Sequence, residues 1–258
     1  MELVRLSVEA STALVTIDRP KALNALNTAT LLELEATLRT VEQDASVRTL
    51  IVTGAGDKAF VAGADIAEMS GYGAAQGLAF AQLGHRVLAA LEALAVPTIA
   101  AVNGFALGGG CELALACDLI YASSNARLGL PEVSLGVMPG FGGTQRLTRL
   151  VGRSRAKELI FTGEPVDAAK ARELGLVLEV LPQAELLAHC RKVAATIARR
   201  GPLAVAQAKR VIDHGADLGL GAANELERQA FGVLFGTTDQ KEGMAAFLAK
   251  RPPAFQGR

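Results

Sequence analysis

Two glutamates stand where a charge is expensive. Glu112 follows four glycines in seven residues and opens a run of small apolar residues in NGFALGGGCELALACDLIYA (103–122). Glu132 lies 20 residues on, after a proline, in the glycine-punctuated stretch RLGLPEVSLGVMPGFGG (127–143). An ionised carboxyl in apolar surroundings costs free energy unless something solvates or uses it. Two such acids beside glycine-rich loops suit acid–base chemistry next to a carbonyl. Each also has a structural reading. Glu112 falls in the first turn of a helix expected over 110–117, where the dipole favours negative charge, and Glu132 could cap a turn.

The glycine loops add a second chemical element. GAGDKAFVAGADI (54–66) follows the apolar strand RTLIVTG (48–54), and residues 103–110 follow PTIAAV (97–102). If those strands are parallel neighbours, both loops emerge at one sheet edge, where open α/β sheets bind ligands. Glycine lets backbone N–H groups approach a ligand closely, and the second loop runs into a helix N-terminus. Two backbone donors aimed at one point make an oxyanion hole. A glycine-rich turn needed only for tight packing is the alternative. Phosphate motifs are absent, since no GxxxxGK occurs and Gly108, Gly109 and Gly110 lack the GxGxxG spacing.

The remaining elements frame these loops. Two β-rich runs, 2–8 and 12–17, open the chain. Asn27 or Thr28 can then cap a helix whose Leu31, Leu34, Leu38 and Val41 recur at helical spacing. A mostly helical stretch reaches about residue 95, with SGYGAAQG (70–77) departing from a regular helix. DLIYAS (118–123) begins another strand, a strand candidate sits near 177–181, and helical periodicity is clear in 184–199. Strands alternating with helices predict an α/β fold with parallel pairing through right-handed crossovers. The expected organisation is a catalytic core over 1–195 and a helical region over 196–258.

Composition narrows the function. Twenty-six basic residues balance 26 acidic ones, and there is no Trp and only two Tyr. That argues against a nucleic-acid partner, by electrostatics and by stacking. Residues 93–111 carry no charge, but Pro97, Asn103 and the glycines interrupt them, so no membrane span is expected. Cys111, Cys117 and Cys190 lack metal spacing and read as reduced core thiols, which fits a cytoplasmic setting. MELVRLSVEA reads as a strand rather than a signal peptide. His85, His189 and His214 show no ligand spacing, and no metal is expected.

Five segments in order resemble the enoyl-CoA hydratase/isomerase (crotonase) family: RPKALNAL (19–26), KAFVAGADIAEM (58–69), AVNGFALGGGCELALACD (101–118), LGLPEVSLGVMPGFGGTQRL (128–147) and TTDQKEGMAAFLAKRPPAF (237–255). Together they span nearly the whole chain. The resemblance implies an α/β fold with a crotonase-like ββα-spiral core and a C-terminal helical trimerisation region, assembled as a homotrimer or a homohexamer of two trimers. It implies hydration of a trans-2-enoyl-CoA, with acyl-CoA as substrate and no cofactor. The amides matching Ala64 and Gly109 would hold the thioester oxygen, and Glu112 and Glu132 would flank a catalytic water. Ala22, Leu23, Ala62, Asp65 and Ile66 match the CoA channel, and Phe247 and Lys250 match adenine and 3′-phosphate positions often supplied by the next subunit. Asp65 could equally hold its own loop, and Lys250 could be a solvated cation ending a helix. Met69, Tyr72, Leu83 and Val87 match the acyl pocket, or else are core. The rivals are an isomerase of the same family, an RNA-binding member and a catalytically silent subunit; two intact acids and a neutral charge favour the hydratase.

Overall fold

The computed structural model describes residues 2–258, so Met1 of the expected opening strand lies outside it. Strands β1 (Val4–Glu9) and β2 (Thr12–Ile17) form an antiparallel hairpin across Ala10 and Ser11, both at positive φ. A one-turn 3-10 helix over Pro20–Ala22 follows. Helix α1 (Thr28–Gln43) starts at Asn27, whose side chain accepts from the Thr30 N–H at 2.8 Å, and it buries Leu31, Leu34, Leu38 and Val41.

The chain then repeats one pattern three times: a strand in a large sheet, a strand in a small sheet, and a helical turn. The first repeat is β3 (Thr49–Gly54), β4 (Ala59–Val61), α2 (Ile66–Met69) and α3 (Ala74–Glu92). The second is β5 (Thr98–Val102), β6 (Phe105–Leu107) and α4 (Gly109–Leu115). The third is β7 (Leu119–Ser123), β8 (Arg127–Gly129), a 3-10 helix over Pro131–Leu135 and α5 (Gly143–Val151). After these come α6 (Arg153–Thr162), β9 (Val166–Asp167), α7 (Ala168–Glu173), β10 (Glu179–Leu181) and α8 (Gln183–Ala198). Helices α9 (Pro202–Gly215), α10 (Leu220–Leu234) and α11 (Thr238–Leu248) complete the chain.

The large sheet has the order β1-β2-β3-β5-β7-β10 and the small one β4-β6-β8-β9. Strands β3 and β5 are parallel neighbours, as their loops require, and every residue of both is buried. Sheets covered on both faces read as unbroken apolar runs, which is how these strands look in sequence. One face packs on α1 and α3; the other carries Ile51, Ile99 and Tyr121 against Leu186, Cys190 and Ala194 of α8. All three cysteines are buried free thiols.

Three expectations shift. The supposed loops 54–66 and 103–110 each contain a three-residue strand, β4 and β6, which pair in parallel. Within SGYGAAQG only residues 70–73 leave the helix: α3 begins at Ala74, where the Gln76 side chain accepts from the Gly73 N–H at 2.8 Å. Helix α8 runs through position 195 and packs on the large sheet, so the helical break falls at 199–201 instead.

Candidate active site

The pairing of β4 with β6 brings the two glycine loops together. A parallel bridge joins Leu26 to Ala64. It uses the Leu26 N–H to the Gly63 carbonyl (2.8 Å) and the Asp65 N–H to the Leu26 carbonyl (2.9 Å), leaving the Ala64 N–H turned away from it and unbonded among the described residues. Opposite stands Gly109, the first residue of α4, whose N–H has no partner within the helix. A Cβ placed on Gly109 would lie 3.5 Å from the Ala64 nitrogen. Two main-chain amides, neither bonded among the described residues, therefore lie close together.

Helix α4 reaches this point because its first residues lack side chains. Gly108 adopts φ +49°, and a Cβ on Gly110 would stand 1.9 Å from the Val61 carbonyl oxygen. Any other residue at 110 would push α4 off β4.

Both amides and both acids line one cavity of about 440 Å³. Glu112 is only 1% exposed, and its Oε1 accepts from the N–H groups of Phe141 (2.8 Å) and Gly143 (2.7 Å). Burial pushes its pKa up, while those two donors and the nearby Arg146 cation pull the other way. Glu132, on the 3-10 turn after Pro131, is half-buried, and its Oε2 has no hydrogen-bond partner among the described residues. Burial, reinforced by the neighbouring charge of Glu112, raises it to about 7. One acid is thus braced by donors, and the other is poised to hold a proton near neutrality. The rest of the wall is apolar, including Met69, Phe80, Leu135, Met138 and Phe141. Among the described residues, no three His, Cys, Asp or Glu side chains converge as a metal site would require.

Residues 7–258 match the family described as enoyl-CoA hydratase/isomerase. The chain belongs to that family. It is 51% identical over 248 residues to a short-chain-enoyl-CoA hydratase of Clostridium acetobutylicum, covering 96% of this chain and 95% of that one. It is 50% identical over 254 residues to a crotonyl-CoA hydratase of Syntrophomonas wolfei, covering 98% of each. An enoyl-CoA hydratase of Bacillus anthracis superposes with a TM-score of 0.97 at 40% identity, over 99% of this chain and all of that one.

The enoyl-CoA hydratase/isomerase motifs distribute unevenly around the cavity. Ala62, Ala64, Ile66, Met69, Gly109, Glu112 and Glu132 all line it. Ala22 and Leu23 do not; Leu23 borders it, its carbonyl accepting from the Ala62 N–H at 3.0 Å. Asp65 is spent on structure: its side chain accepts from the Ala67 and Glu68 N–H groups and pairs with Arg19 at 2.9 Å. Of the four residues read as acyl pocket or core, Met69 lines the cavity and Tyr72, Leu83 and Val87 do not. Leu83 and Val87 face the apolar core, 7% and 0% exposed, because their positions on α3 lie on its sheet-facing stripe. Tyr72 donates its hydroxyl to Glu68 (2.6 Å) and packs edge-on against Phe80. In their place α3 offers Gly77, Phe80 and Ala81, an i, i+3, i+4 set legible as a second helical face. Phe247 and Lys250 lie off this cavity, Phe247 being 83% exposed on α11.

Proposed function

We propose that the protein is an enoyl-CoA hydratase, adding water reversibly to a short trans-2-enoyl-CoA to give the 3-hydroxyacyl-CoA. The observation that carries this reading is the convergence of the Ala64 and Gly109 amides with Glu112 and Glu132 on one apolar cavity. The hydratase names of relatives at about half identity support it.

The thioester oxygen would sit between the two N–H groups, which strengthen their hold as enolate charge grows on it. Each such donor is worth about 3 kcal/mol of transition-state stabilisation. Glu112, with Oε1 engaged by Phe141 and Gly143, uses its other oxygen to take a proton from water. The water oxygen bonds to the β-carbon, and the double-bond electrons move onto the thioester. Glu132 then delivers its proton to the α-carbon on the same face, and the proton left on Glu112 passes through the next water to Glu132, restoring both acids. A Glu132 raised to about 7 is stocked with the proton this step needs.

The isomerase reading needs a single acid that shuttles one proton. A second acid on the same cavity favours hydration. CoA would run past Ala22, Leu23, Ala62 and Ile66, with Phe247 and Lys250 completing the adenine end from a neighbouring subunit of a trimer or hexamer, in the cytoplasm. The bare apolar residues of α10 and α11, Phe231, Val233, Phe247 and Leu248 among them, support such assembly. The test is to offer purified protein crotonyl-CoA and follow loss of the conjugated-thioester absorbance. The expected product is heavier by one water. Failure to hydrate any 2-enoyl-CoA, with isomerisation of a 3-enoyl-CoA, would instead establish the rival.

A further inference from the structure

Glu112 is held by a segment rich in glycine. Its two partners, the N–H groups of Phe141 and Gly143, belong to Pro139-Gly140-Phe141-Gly142-Gly143, three glycines in five residues, with Gly142 at φ +104°. Glycine carries the largest backbone freedom of any residue. Something outside the segment must fix it if the carboxylate is to keep one orientation.

Arg146 is the side chain that does this. It lies on the first turns of α5, with its side chain only 16% exposed. Its Nη1 donates to the Phe141 carbonyl at 2.6 Å. Its Nε and Nη2 donate in parallel to Oε1 and Oε2 of Glu92, both at 2.6 Å. Glu92 is the last residue of α3. The same helix grips the other side of Phe141: the Phe80 ring is 5.3 Å from the Phe141 ring, and the Phe141 ring lies against Gly84, where a Cβ would come within 2.1 Å. The peptide fixed by Arg146 sits between the two peptides whose N–H groups hold Glu112.

We propose that the Glu92–Arg146 pair is a positioning device for the catalytic base, locking the 139–143 segment so that only Oε1 of Glu112 is engaged and the other oxygen faces the reacting water. Neither residue touches substrate in this arrangement; both act through the Phe141 peptide. The bidentate geometry requires a planar guanidinium, which a lysine cannot imitate. Arg146 also supplies the positive charge nearest Glu112. The other groups facing that carboxyl are Glu132 on the 3-10 turn and Cys111 beside it on α4, with His85 of α3 against Gly142. None of these is a fixed cation.

The inference rests on the hydratase reading, and the experiment separates the two. Crotonyl-CoA hydration is measured across pH for the parent, Arg146→Gln, Arg146→Lys, Glu92→Gln and Glu112→Gln, with circular dichroism and gel filtration confirming that each is folded. Arg146→Gln is expected to lose about tenfold to a hundredfold in kcat, the scale of a small misplacement of a reacting group, with KM nearly unchanged. Its acid limb should move to higher pH, because Glu112 without its cation takes up a proton sooner as pH falls. Arg146→Lys should return the acid limb to its parental position but recover only part of kcat. Glu92→Gln, which weakens the anchor but keeps the cation, should lower kcat with little movement of the limb. A folded Arg146→Gln with parental kcat and an unmoved limb would overturn the proposal. If Arg146→Gln fails to fold, parental kcat in both Arg146→Lys and Glu92→Gln does the same. Full activity in Glu112→Gln would instead remove the hydratase mechanism itself.

Discussion

Glu112 and Glu132 are chemically identical side chains placed in unequal surroundings. Glu112 is more deeply buried but receives two main-chain donors; Glu132 has an oxygen without a partner among the described residues and rises to about 7. This has a consequence for stability. A carboxyl whose folded pKa lies above its usual 4.5 favours folding fully below that value, and the benefit is lost as pH rises through about 7. Glu132→Gln should therefore gain on the parent in thermal midpoint between about pH 5 and about pH 8, because over that interval the folded parent holds a proton that its unfolded chain releases. A variant that loses ground over that interval would show that Glu132 is not held neutral. These two residues were legible because a charge in an apolar run needs a cause. Leu83 and Val87 stayed open between core and pocket for the opposite reason: an apolar residue on a helix looks the same in either place, and packing puts both in the core.

The elements position the amides through close backbone approach. Gly110→Ala would drive a Cβ into the Val61 carbonyl, so α4 must shift off β4. Overpacking of this kind costs about 1–3 kcal/mol. In a chain of this size that lowers the thermal midpoint by several degrees, about 2–4 °C for each kcal/mol. Activity should fall further than stability, since Gly109 moves with the helix. The neighbouring helix sets a different property. Gly77 of α3 lines the cavity with open space where a side chain would start. Gly77→Leu should keep crotonyl-CoA turnover but reduce kcat/KM for enoyl chains several carbons longer, by tenfold or more. Equal losses on both substrates would move the acyl end elsewhere. The long apolar strands β3 and β5 and the periodic helices α1 and α8 were readable from sequence. The strands β4 and β6 were not, because three residues are too few to establish a period. Their pairing is nevertheless what joins the two loops.

At the scale of the whole molecule, apolar side chains are unevenly covered. The sheets and α1, α3 and α8 bury most of theirs, while α9–α11 leave Ile212, Leu220, Phe231, Val233, Phe247 and Leu248 exposed. The sequence marks a helical region over 196–258, but α8 runs on to Ala198, because helical periodicity does not mark where one packed unit ends. If this surface is an interface between copies, Phe231→Asp should shift sedimentation toward smaller species, and activity should fall with it if the adenine end of CoA is completed across the interface. An unchanged sedimentation coefficient would leave this face without that role.

The most direct test of the acid pair is the initial rate of crotonyl-CoA hydration by folded Glu112→Gln and Glu132→Gln beside the parent. Each lost proton-transfer role should reduce kcat by about 10²–10⁴. Parental rates in both variants would contradict the assignment of water activation and proton delivery to these two carboxyl groups.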